Sequence, residues 1–125
     1  MSQLLAQKMI RLAAILFAIL SLAGCMDNDC ANERSTEVVS PDGTKKVVLF
    51  SRNCGATTGF NTQGTVLERT EALPDSAGSA FIIDQGTAKV TWTDNTKILV
   101  NLESNARVLK KELSDHGVTI EYQTK

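Results

Sequence analysis

Three cysteines, one histidine and one loop rich in glycine and threonine are the side chains with the most chemistry to offer in this 125-residue chain. The cysteines are Cys25, Cys30 and Cys54, and the histidine is His116. A zinc site needs three or four Cys, His or carboxylate ligands. Beyond the cysteines the only further soft ligand is His116, so no metal site is expected. A thiol nucleophile needs a neighbouring base, and again only His116 is available. His116 lies in Ser114-Asp115-His116-Gly117, which contains the residue types of a hydrolytic triad. Adjacent residues in a tight turn cannot converge on one substrate atom, and His before Gly is ordinary turn chemistry. Asp42, Asp84 and Asp94 stand singly and read as turn residues rather than paired acid/base carboxylates. Asp94-Asn95-Thr96 is too short for an EF-hand loop. No catalytic residue is assigned, and an enzyme is not expected.

The loop is Arg52-Asn53-Cys54-Gly55-Ala56-Thr57-Thr58-Gly59. Arg52, Asn53, Gly55, Thr57 and Thr58 could present backbone N–H groups, hydroxyls and a guanidinium to an anion. The competing reading, which the composition favours, is a pinned turn whose threonines satisfy local backbone groups. No Gly-Lys-Ser/Thr follows, so phosphate-loop spacing is absent.

The first 24 residues read as a segment for export. Lys8 and Arg11 supply a positive start, and Leu12 to Leu20 is an unbroken apolar run followed by Ser21, Ala23 and Gly24. Nine apolar residues are too few for a hydrocarbon core that needs about 20 residues of helix. Leu22-Ala23-Gly24-Cys25 resembles the lipobox of bacterial lipoproteins at all four positions. That resemblance implies cleavage before Cys25, a diacylglyceryl group on its thiol and N-acylation of the new terminus, with no other cofactor. Two or three acyl chains, at about 0.8 kcal/mol per buried methylene, would hold the protein on a bilayer. Met26 replaces the aspartate of the enterobacterial inner-membrane retention signal, so by analogy the outer membrane is favoured over the inner. In an oxidising periplasm the two remaining thiols are expected to pair as Cys30–Cys54, with inert free thiols as the alternative. Such a bridge would close a loop of about 25 residues, contributing about 3 kcal/mol in the chain-entropy model.

These residues must be positioned by a small domain. The chain carries 13 basic and 14 acidic residues; losing Lys8 and Arg11 leaves residues 25–125 with a net charge of −3. That balance is mixed and mildly acidic, which argues against nucleic acid as a partner. Residues 25–35 are polar and aperiodic and read as a lipidated tether, with a single antiparallel β domain over 36–125. Pro41-Asp42-Gly43 sets a tight turn before an apolar strand over Lys45–Ser51. Phe60–Glu68 can return as a strand, where Gly64 implies a bulge or a close backbone approach. Arg69–Ser79 reads as a mobile surface loop. Ala80–Asp84 is short and apolar, and alternation over Lys89–Thr93 and Lys97–Leu102 predicts a hairpin anchored by Trp92. Residues 104–113 fit a helical stripe or a strand, the strand being preferred, and Val118, Ile120 and Tyr122 share one face of a last strand. Six or seven short strands result, as a sheet, sandwich or meander.

Ser40-Pro41-Asp42-Gly43 together with Trp92-Thr93-Asp94 resembles a blade of a periplasmic β-propeller, although the chain is too short to close a ring of blades. The segment Cys54-Gly55-Ala56-Thr57-Thr58-Gly59-Phe60, behind the Pro-Asp-Gly turn and strand, resembles a group of small uncharacterised bacterial lipoproteins; Gly64 departs from what the strand there would favour. The resemblance implies architecture and location and brings no activity. The function expected is a non-catalytic binding or accessory protein of the cell envelope. Its partners would be membrane lipid through Cys25 and an envelope protein. The alternatives are an inhibitor or immunity-type lipoprotein and, further off, a small hydrolase.

Overall fold

The computed structural model describes residues 3–11, 29–56 and 58–125. Residues 3–11 form a helix. The apolar run 12–20, the lipobox with Cys25, and Thr57 lie outside the described residues.

Nine strands are formed among the described residues: β1 (Ala31–Val39), β2 (Lys45–Asn53), β3 (Thr62–Glu68), β4 (Phe81–Gln85), β5 (Ala88–Asp94), β6 (Lys97–Leu102), β7 (Arg107–Lys111), β8 (Ser114–Asp115) and β9 (Val118–Thr124). They make a five-stranded sheet in the order β1-β2-β3-β4-β7 and a four-stranded sheet in the order β5-β6-β9-β8. The domain is therefore mostly β, as expected. Neighbouring strands run antiparallel except β6 and β9, which are parallel. That exception follows from the path of the chain: β6 leaves the second sheet, β7 crosses to the first, and β9 returns through the β8 hairpin.

Alternation builds the core. Val47, Val66, Phe81 and Ile83 of the first sheet face Val90, Ile98, Val100, Val118 and Ile120 of the second. Burying these side chains supplies the main stabilisation, at about 25 cal/mol per Å² of apolar surface removed from water. The outer face of the first sheet holds a smaller cluster, Val48, Phe50 and Leu67, with Leu73 packed over it from the 69–80 segment.

Several expectations change. Nine strands stand where six or seven were expected; one of the additions, β8, is a two-residue ladder without periodicity of its own. Residues 31–35, expected in the tether, belong to β1. Its edge position tolerates a polar sequence because the ladder to β2 satisfies the backbone, from Ala31↔Asn53 to Val39↔Lys46. The Arg69–Ser79 segment, expected to be mobile, is held in place: Asn32 donates to Pro74 O and Ser76 O, and Ser79 N donates to Thr65 Oγ1. Strand β7 takes the strand alternative over 107–111. Trp92 does lie opposite Ile98, and its Nε1 also donates to Val38 O at 2.9 Å, linking β5 to β1.

Gly64 marks a close approach. It pairs with Phe81 on β4, and an added Cβ would stand 2.3 Å from the Phe81 ring, which is fully buried.

Candidate functional site

A groove of about 570 Å³ lies on the outer face of the first sheet, beside the area that Leu73 covers. Strand alternation decides its floor. Phe81 and Ile83 point into the core, so Ile82 and Asp84 point outward, joined by Leu109 and Arg107 of the edge strand β7. Cys54 and the residues from Thr58 to Asn61 line it as well. Phe60 and Leu109 leave 68% and 62% of their surface in solvent, so the groove has an exposed apolar rim.

Arg52 organises the polar side of this region. Its guanidinium donates to Asn32 Oδ1 at 2.7 Å and to Asp75 Oδ1 at 3.0 Å, and its side chain is only 16% exposed. Asn61 clamps the Arg52 backbone, accepting from its N–H at 2.9 Å and donating to its carbonyl at 2.7 Å. Gln63 extends the network, donating to Asn61 Oδ1 and accepting from Gly78 N. Buried amides of this kind must be paired to be tolerated. Here each bond ties the 54–61 loop or the 69–80 segment to β2 and β3.

Asp84 and Arg107 form the second charged pair of the groove, joined by two hydrogen bonds, one of them Nε–Oδ1 at 2.7 Å. The Arg107 hydrogen bond holds the Asp84 carboxyl below its ordinary range, and the same bond raises Arg107. Both cations of the groove therefore already carry carboxylate partners.

The predicted site residues divide. Cys30 and Cys54 are joined in a disulfide, which continues the β1–β2 register one pair beyond Ala31↔Asn53. In the Gly/Thr loop, Gly55 N donates to Asn53 Oδ1, Cys54 N donates to Thr58 Oγ1 and Thr58 N donates to Gly55 O. These three N–H groups have acceptors inside the loop. Arg52 lines the groove with Thr58, while Asn53 and Gly55 do not line it.

His116 does not line the groove. It and Gly117 have φ of 47° and 77° and form the two-residue turn between β8 and β9, which requires positive φ at both positions. The Asp115 carboxylate accepts from Val66 N at 3.0 Å and Ser79 Oγ at 2.6 Å on one oxygen, and contacts His116 Nδ1 on the other. A hydrolytic triad needs the imidazole between hydroxyl and carboxylate. Here the carboxylate sits between the other two, so Asp115 pins one sheet to the other. Among the described residues no group of three or more His, Cys, Asp or Glu could hold a metal, and no helix is long and apolar enough to cross a membrane.

Sequence reasoning missed Ile82, Asp84, Leu109 and Arg107 as one surface. Only the β4–β7 pairing brings 82 and 84 beside 107 and 109. A partial signal was present in Asn61 and Gln63, polar residues entering an apolar strand. The fold and groove define a disulfide-stapled, two-sheet β domain with a lateral cleft. Comparison with protein-family models, curated proteins and solved structures returns no match.

Proposed function

We propose that this chain is a lipid-anchored lipoprotein of the bacterial envelope that acts as a non-catalytic binding or accessory protein. The observation that carries the reading is the Cys30–Cys54 bridge. It uses two of the three cysteines, so Cys25 has no cysteine left to pair with inside the chain, and it stands directly behind Leu22-Ala23-Gly24. A thiol in that position is the acceptor that lipid attachment requires. The groove beside the bridge supplies a concave, partly apolar surface of the size that ligand sites have. Its charged residues are paired with one another rather than arranged around a nucleophile.

The test is fractionation of cells that make the full chain or its Cys25→Ala variant, with intact mass of each product. The unaltered protein is expected in the membrane fraction carrying the added mass of lipid. The variant is expected in the soluble periplasmic fraction without it. A Cys25→Ala protein that stays with the membranes overturns the anchor.

A further inference from the structure

We infer that the end of the domain bearing Phe60 seats against the bilayer, with the groove rim as the contact. The inference rests on the lipid anchor at Cys25. Strand directions give the domain two distinct ends. One end collects the Cys30–Cys54 bridge, the 54–61 loop, the Gly86–Thr87 link between β4 and β5, and the C-terminal Lys125, whose N–H bonds to Leu102 O. The other collects the Pro41–Gly43, Asp94–Thr96 and His116–Gly117 turns.

Chain length decides which end meets the membrane. Four residues, Met26 to Asp29, lie between Cys25 and Cys30, which makes five Cα–Cα steps. Fully extended they span at most about 18 Å. The bridge passes that constraint to Cys54, which lines the groove together with Phe60. Phe60 lies outside β3 and is 68% exposed. It also borders two smaller hollows, one with Leu49 and Ala88 and one with Glu33 and Asn53, so it stands out as a fin at this end. An exposed apolar rim marks an interaction surface. The two arginines lining the groove, Arg52 and Arg107, are paired with Asp75 and Asp84, so the contact the groove rim offers is apolar rather than anion-selective. An acyl boundary within tether reach matches that chemistry.

Site-specific tryptophans test the seating on the lipidated protein, purified and reconstituted in phosphatidylcholine/phosphatidylglycerol vesicles with plain or brominated acyl chains. Trp92, half-buried and bonded to Val38 O, supplies a constant background. The Phe60→Trp variant is expected to emit at shorter wavelength and to lose most of its added emission in brominated vesicles. The Asn95→Trp variant, at the exposed turn of the opposite end, is expected to keep its emission and to be quenched by aqueous iodide. Vesicle flotation of the unaltered protein and of Cys25→Ala runs alongside. If the first floats and the second does not, yet Phe60→Trp is indifferent to bromine, the seating is wrong and the anchor stands. Shielding of Phe60→Trp from both quenchers would mean that protein covers this end, and also overturns the seating. If Cys25→Ala floats like the unaltered chain, the anchor fails and the seating falls with it.

Discussion

At the scale of single residues, the positions that matter most are those where one atom more or less changes the packing. Gly64 has no room for a side chain, because the Phe81 ring occupies the space where its Cβ would stand. Phe81 is fully buried and cannot swing into solvent. Gly64→Ala is expected to destabilise the domain by about 1–3 kcal/mol, the usual cost of overpacking. Urea denaturation measures it, and combining the change with Phe81→Leu should recover part of the loss. Asp42 shows an electrostatic version of the same dependence on local geometry. The Ser40 hydroxyl, then the Thr44 N–H and hydroxyl, donate to its carboxylate and lower its pKa from 3.8. A carboxyl depressed in the folded state stabilises that state above its unfolded pKa, and the contribution disappears as pH falls through the folded value. Asp42→Asn should therefore flatten the decline of thermal stability below about pH 4, the range of an unperturbed aspartate. An unchanged acid profile would show that the turn does not need the charge.

Elements bring a different kind of constraint. Strand β1 is an edge strand of polar sequence, with little apolar surface of its own to hold it. Its ladder to β2, interrupted by a register shift between Glu33 and Ser35, is closed by the Cys30–Cys54 bridge at one end and by the Pro41–Gly43 turn at the other. The cysteines are 24 residues apart. Replacing both by serine should cost about 3 kcal/mol in the chain-entropy account. Equilibrium unfolding measures that loss, and hydrogen exchange should show it concentrated at residues 31–33 and 51–53. The 69–80 segment is the element that sequence composition describes least well. Its backbone is held by the side chains of Asn32, Gln63 and Thr65, all distant in sequence.

For the molecule as a whole, the link between the two sheets and the asymmetry of the two ends set the behaviour. Trp92 joins the sheets through its Nε1–Val38 O bond. Trp92→Phe keeps most of the apolar contact and removes the donor, so a loss of about 1 kcal/mol is expected on thermal unfolding. Tyr122 supports the opposite junction: its hydroxyl donates to Glu112 O at 2.6 Å, and burial, with the charges of Glu112 and Asp115, pushes its pKa up to about 12. The Cys30–Cys54 bridge and Phe60 then fall at one end, while His116 and the Asp42 and Asp94 turns fall at the other. This polarity underlies both the anchored reading and the seating proposed for Phe60.

The predominance of strands was legible in alternation, and the burial of Val118 and Ile120, the Trp92–Ile98 pairing and the Asp42 and His116 turns were legible in local chemistry. All of these depend on residues close together in sequence, where a period of two or a positive φ leaves a direct mark. The cysteine pairing was legible by elimination among few thiols. What only tertiary structure decided were the relations between distant segments. The parallel β6–β9 pairing, the capture of 69–80 by Asn32 and Gln63, and the meeting of Phe60 with Ile82 and Leu109 have no local period. The physical reason is that which strands become neighbours depends on how the whole chain buries its core, and residues on outward faces are brought together only once that choice is made.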